Sequence, residues 1–311
     1  MTEPQTISGV TGSTSGGGAG DLTVALHIGA PFTDEDQLIW SLRRDSARLL
    51  QDGVLVRRPG TYLKDLTDLK GRAAKEGISD EACEDFLEGV LRDADPARVV
   101  LSMSAILGVP AWMLNDGRLY RNAGANTAAL RAVFADHRCE FFLGLRNPAT
   151  LVPAGFAAQS QKDWYGFARD TDLMELRWSE VVGDILTANP DCAITVWCNE
   201  ETPVVWPQVL GHVTGLGAGY RFTGETDILR QAMTEEGTRR LEAYLAERPK
   251  LSEQQRNQVR ELFLSYFHAE DAVEEEIDLP GWSQGFVDEM TERYFADIDL
   301  IRSLPGVTVI D

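Results

Sequence analysis

Basic side chains are scarce in this sequence. Of 311 residues, 29 are Lys or Arg against 49 Asp or Glu, a formal net charge of −20. That balance disfavours unspecific attraction to nucleic acid or to an anionic membrane surface. It also opposes long-range steering of a polyanion, so any anion site needs its own local basic patch. An acidic, well-solvated surface is the simplest account of the surplus. Cysteine is rarer still. Cys83, Cys139, Cys192 and Cys198 form no C-x-x-C pair and have no histidine at ligand spacing, which argues against a zinc site or a disulfide framework. Cys192 and Cys198 flank the apolar run 193–197, where buried thiols behave as small hydrophobes, and a reducing cytoplasm fits. His137, His212 and His268 are scattered without H-x-x-x-H spacing, so no resident metal is expected. No apolar stretch approaches the ~18 residues of a membrane span, and no basic segment followed by an apolar one opens the chain. The expectation is a cytoplasmic protein without nucleic-acid or membrane partners.

Motifs that would announce a nucleotide site are also missing. The glycine run 16–20 precedes the first strand, whereas a phosphate cradle lies between a strand and a helix. Residues 1–20 are small, polar and glycine-rich, and read as a disordered tail. Gly215-Leu216-Gly217-Ala218-Gly219 fails the dinucleotide pattern at its last glycine and follows a helix. Glu270, Asp271, Glu274, Glu275, Glu276 and Asp278 form an acidic cluster without the spacing of a calcium loop, and read as a solvated loop or helix end. There is no internal repeat.

What is present is a chain of 43% hydrophobic and 25% charged residues, long enough for a substantial core. Short apolar runs at 22–28, 54–56, 99–103, 140–145 and 193–198 read as strands. Between them the periodicity is helical, at 34–51, from the Ser79 cap to about 92, before 135, near 149–162 and at 172–187. After Pro203 everything reads as helical, near 204–215, 225–247, 252–269 and 284–303. Alternating strands and helices imply an α/β fold with a mostly parallel sheet covered on both faces. Residues 21–311 form one domain in this reading, with a helical C-terminal part from about 204. Ligands of such sheets bind at the carboxyl ends of the strands, so the loops 29–36, 102–109 and 146–156 are expected to share one crevice.

Four stretches in order resemble the sulfotransferases, in particular their divergent bacterial branch. Leu26-His27-Ile28-Gly29 is similar to the strand that opens the branch before its x-K-T-G-T-[ST] loop and a helix. Val99-Val100-Leu101-Ser102-Met103-Ser104 resembles the strand ending in serine beside the acceptor pocket. Phe142-Leu143-Gly144-Leu145-Arg146-Asn147-Pro148 resembles the apolar strand followed by R-[ND]-P. Ala193–Cys198 with Asn199-Glu200-Glu201 resembles a late strand and its polar turn, and Leu304-Pro305-Gly306-Val307 the end of such chains. The resemblance covers about 22–215. It implies a P-loop sulfotransferase-like α/β fold, with Arg146 contacting the 3′-phosphate of the donor, 3′-phosphoadenosine-5′-phosphosulfate (PAPS), and Ser102 and Ser104 near the acceptor.

Against that pattern, the donor loop Gly29-Ala30-Pro31-Phe32-Thr33-Asp34-Glu35-Asp36 is degenerate. The lysine position holds Phe32, the phosphate-approaching glycine is Asp34, and the hydroxyl pair is Glu35 and Asp36; Thr33 is kept. The serine position eight residues beyond Arg146 holds Ala154. No titratable side chain follows Ser104 where the branch commonly carries its base. Two unit charges about 4 Å apart repel by roughly 4 kcal/mol at an effective dielectric of 20, and a helix dipole returns only about 0.3–1 kcal/mol. Asp34 is also suited to cap the helix.

The expectation is therefore a sulfotransferase-like pseudoenzyme without PAPS or another cofactor, acting in binding or assembly with a protein or small-molecule ligand. An alternative is an active PAPS-dependent sulfotransferase acting on a hydroxyl of a carbohydrate or small molecule, with Arg43, Arg44, Arg57, Arg58 or Arg146 supplying the cations. Another is a cation-binding variant using Asp34, Glu35 and Asp36. Arg146 reads equally as an arginine tying its loop to carboxylates, His27 as a satisfied core histidine, and Ser102 and Ser104 as turn hydrogen-bonders. Trp112, Trp164, Trp178, Trp197 and Trp206 read as core or rim packing, with a sugar-stacking surface at Trp164-Tyr165 as the minor option.

Overall fold

A computed structural model describes residues 22–34, 36–160, 163–217, 219–269, 279 and 281–311. The expected tail at 1–20, Glu35 and the acidic cluster 270–278 lie outside the described residues.

Runs of β-branched and aliphatic residues fix the strands, since a strand covered on both faces has no need of polar alternation. They are β1 (Thr23–His27), β2 (Val54–Val56), β3 (Arg98–Ser102), β4 (Leu114–Asn115), β5 (Arg118–Leu119), β6 (Arg138–Leu145), β7 (Ala193–Cys198) and β8 (Val307–Ile310). Six of them form a parallel sheet in the order β2-β3-β1-β6-β7-β8, and β4 and β5 make a separate two-stranded hairpin. From β1 the chain moves outward to β2 and back to β3, then crosses to the far side of β1 for β6. The carboxyl ends of β1, β3 and β6 thus border the point where the winding reverses, the usual crevice of an open α/β sheet.

The helices alternate with these strands. They are α1 (Gln37–Arg43), α2 (Ser46–Gln51), α3 (Leu63–Ala73), α4 (Asp80–Leu91), α5 (Ala123–Ala132), α6 (Pro148–Ala157), α7 (Trp164–Ala168), α8 (Trp178–Ala188) and α9 (Thr202–Thr214). Beyond them come α10 (Asp227–Ala232), α11 (Glu235–Ala246), α12 (Glu253–Phe267) and α13 (Gln284–Arg302). Ser79 caps α4 by accepting from the Ala82 amide, as its position before an acidic first turn predicts.

Strand alternation divides the core into two layers. Val24, Leu26, Val99, Leu101, Phe141 and Leu143 face the layer that includes α3, α5, α8 and α13, with Trp178 at its centre. Ala25, Val100, Phe142 and Trp197 face α1, α2 and α9, where Trp206 is fully buried. A smaller cluster of Leu229, Met233, Leu241 and Leu245 joins α10, α11 and α12.

Several features depart from the sequence reading; α3 and the β4–β5 hairpin are absent from it, and the helix expected at 172–187 begins only at Trp178. The stretch 34–51 is two helices, because Asp45 leaves the helix to accept from the Thr223 amide and hydroxyl, both at 2.7 Å. The all-helical reading beyond Pro203 is corrected by β8, which pairs with β7. The stretch 225–247 is likewise broken between α10 and α11, where Thr234 caps the second helix through the Gly237 amide.

Candidate functional site

The first residues of the loop after β1 continue along β6. Ile28 N donates to Phe142 O at 2.9 Å, Ala30 N to Gly144 O at 3.1 Å, and Gly144 N to Gly29 O at 2.8 Å. Ala30 N, the first amide of the loop able to face a ligand, is therefore engaged by the sheet. Gly29 stands at φ +100°, and a Cβ there would lie 2.4 Å from the Ser104 carbonyl oxygen. Only glycine provides both that dihedral and that clearance. Thr33 packs against Gly144, where an added Cβ would meet it at 3.3 Å, and its hydroxyl donates to Ala30 O at 2.6 Å. The loops following β1, β3 and β6 do meet, as the topology leads one to expect.

Asp34 turns inward, with 3% of its surface exposed. Its Oδ2 accepts from Leu38 N at 3.0 Å and its backbone oxygen from Gln37 N at 2.7 Å. An intrachain carboxylate thus occupies the amide position at the start of α1 where an external anion would compete. The formal N-cap is Asp36, at φ 67°, without a side-chain cap bond. Asp36 is exposed, so the expectation of clustered carboxylates in the crevice is corrected to an inward Asp34 and an outward Asp36. Desolvation decides which of the two turns in, since Asp34 has an amide donor at its carboxylate and Asp36 has water.

Beneath the loop, the parallel register sets His27 beside Ser102. His27 Nδ1 and Ser102 Oγ share a 2.9 Å hydrogen bond, and His27 Nε2 lies 3.9 Å from Asp34 Oδ1. The ring stacks on Trp197 with centroids 6.1 Å apart. His27, Ser102 and Asp34 are 1%, 2% and 3% exposed. A serine, a histidine and a carboxylate in series form a nucleophile's constellation by residue type. Here the hydroxyl is closed off from solvent, and Nε2 and Asp34 Oδ1 have no hydrogen-bond partner among the described residues. Tyr62 seals the other side: its hydroxyl donates to Ser102 O at 3.1 Å and accepts from Ser102 N at 2.7 Å. Burial drives the Tyr62 phenol well above its ordinary pKa, so it stays neutral. The Ser102–His27 contact escapes the sequence reading because it depends on register; the signal was a serine and a histidine each closing an apolar strand.

Arg146 is 9% exposed. Its Nη1 donates to Phe32 O at 2.7 Å and its Nε to Thr150 Oγ1 at 3.0 Å, so it ties the first turn of α6 to the loop after β1. The turn that follows is fixed from several sides. Asn147 caps α6 through the Ala149 amide and donates from its Nδ2 to Thr291 at 2.8 Å, while its own amide donates to Glu200 at 2.8 Å. Trp178 Nε1 donates to Arg146 O at 2.8 Å. Ala154 lies half-buried in α6, and Ser104 is half-buried with its carbonyl against Gly29. Pro31 and Phe32 are half-buried at the rim.

The remaining arginines named for a transferase are dispersed. Arg44 pairs with Asp227, and Arg57 donates to the Val90 and Leu91 carbonyls at the end of α4. Arg43 and Arg58 flank the exposed ring of Trp40 at 5.8 and 5.6 Å from its centroid, beside a cavity of about 390 Å³ that Asp36 also lines. Trp178, Trp197 and Trp206 are core residues, whereas Trp112 is 60% exposed. Trp164 joins an aromatic row with Phe156 and Trp282, and Tyr165 is exposed beside it. Among the described residues no group of three His, Cys, Asp or Glu side chains is placed to hold a metal ion. No described helix is long and apolar enough to cross a membrane. No protein-family model, curated protein or solved structure matches the chain.

Proposed function

We propose that this chain is a sulfotransferase-like protein in which the donor loop no longer holds a phosphate, and that it works by binding rather than by sulfuryl transfer. The observation that carries this reading is the buried Asp34 carboxylate on the Leu38 amide. A phosphate seated there would have to displace that carboxylate or approach it. At about 4 Å each unit of charge costs roughly 4 kcal/mol at an effective dielectric of 20. Phe32 offers no ammonium to offset the repulsion, and the Gly29 and Ala30 backbone groups are already paired with Gly144. The R-N-P turn supports kinship with the fold, but its arginine grips the loop instead of pointing at open space.

Titration calorimetry with PAPS and with adenosine 3′,5′-bisphosphate tests the reading. No saturable heat is expected up to about 1 mM ligand, a Kd equivalent to roughly 4 kcal/mol of binding. A micromolar dissociation constant for either nucleotide would overturn it.

A further inference from the structure

A second cavity, of about 470 Å³, lies between the 221–226 turn, α11 and the start of α12, and Arg256 is in its wall. Arg256 is 5% exposed, and its Nε is closed off from solvent without a hydrogen-bond partner. The guanidinium makes no ion pair with any described residue, although the chain carries a 20-charge acidic surplus. Its neighbours are otherwise engaged: Arg221 and Arg260 both pair with Glu253, at 3.1 and 2.8 Å, and Arg230 pairs with Glu242. A buried guanidinium is rarely left without a hydrogen-bond acceptor, and here the attraction of Glu225 and Glu253 offsets its desolvation only in part. Here is the local basic patch that the overall charge demands of an anion site.

The rest of the wall restricts the ligand. Glu225 presents a buried Oε2 that also lacks a hydrogen-bond partner, and Glu242, paired with Arg230, lines the same cavity. With the Glu242–Arg230 pair neutral overall, one uncommitted guanidinium beside the Glu225 carboxyl disfavours a dianion such as phosphate. A single carboxylate matches the planar fork of one arginine. Phe222, Leu245, Ala246 and Pro249 supply an apolar side. We propose that this cavity binds a small monocarboxylic acid with a short apolar body and an adjacent hydroxyl or amino group, the carboxylate on Arg256 and the donor group on Glu225. The inference does not rest on the state of the Asp34 loop.

The test is calorimetry on the full chain with four probes: L-leucine, 2-hydroxy-4-methylpentanoate, 4-methylpentanoate and inorganic phosphate. Saturable binding of leucine or of the hydroxy acid is expected, and whichever binds tells an amine from a hydroxyl. 4-Methylpentanoate, which lacks the donor, is expected to bind roughly tenfold more weakly. Arg256→Met should abolish the heat while leaving the unliganded chain folded and at least as resistant to urea, since an apolar side chain of similar length removes an unpaired buried charge. Should that variant not fold, loss of at least about tenfold in affinity in Arg256→Lys, which keeps charge but not the fork, is the deciding result. The proposal is overturned by absence of saturation with both donor-bearing acids up to about 10 mM. It is equally overturned by phosphate binding in preference, by 4-methylpentanoate binding as tightly as the donor-bearing acids, or by unaltered affinity in the Arg256 variant that folds.

Discussion

Gly29 combines a left-handed dihedral with the close approach of the Ser104 carbonyl. Gly29→Ala therefore brings both backbone strain and a clash with a main-chain atom that has no freedom to yield. A loss of about 2–4 kcal/mol in urea-unfolding stability is expected, and a loss under about 1 kcal/mol would show that the two loops are not held as described. Glu225 carries a second residue-scale expectation. Burial, partly opposed by Arg260, Arg221 and Arg256, raises its pKa above the usual carboxyl value. A raised acid favours the folded state fully below its unfolded pKa, and the benefit is lost as pH climbs through the folded one. Relative to wild type, Glu225→Gln should thus gain stability from about pH 4 toward neutrality, measured by urea unfolding at several pH values. A wild-type-minus-variant difference that stays flat with pH would contradict this.

At the scale of elements, β1, β2, β3, β6 and β7 stand in the sequence within a residue or two, because covered parallel strands are written as unbroken apolar runs. The cap at Ser79 is equally plain, and Ser252, at the expected start of a helix, caps α12 with a full capping box through Gln255. What was not legible depends on distant partners. Asp45 breaks the first long helix only because Thr223, far along the chain, offers two donors. The hairpin strands β4 and β5 have two residues each, too few for any periodicity. β8 has four residues, only one of them buried, and gains its identity from its pairing with β7. The crevice was foreseeable from topology, but which of Asp34 and Asp36 turns inward was not. Removing residues 304–311 should uncover the β7 edge, since β8 pairs along Ile194, Thr195, Val196 and Trp197. Increased aggregation on size-exclusion chromatography and a lower Tm are the expected results. A monodisperse truncated chain with unchanged Tm would show that β8 contributes nothing to the sheet.

For the whole molecule, the surplus of 49 acidic over 29 basic side chains dominates. Many of the surface ion pairs are exposed, for example Arg239 and Arg240 with Glu236, and each of that kind contributes little. Net self-repulsion is the larger effect, and it is screened within about 10 Å at 0.1 M salt. Raising sodium chloride from about 10 mM to 0.5 M should therefore increase Tm. A fall in Tm over that range would mean that attractive pairs outweigh the surplus.

If the proposed function holds, the paired backbone of Gly29, Ala30 and Gly144 limits any attempt to confer donor chemistry by mutation. Grafting a lysine at Phe32 and a glycine at Asp34 would alter the side chains yet leave the Ala30 amide bonded to the Gly144 carbonyl. A working cradle would first require the loop to unzip from β6, and Arg146, holding the Phe32 carbonyl, is the latch against that opening.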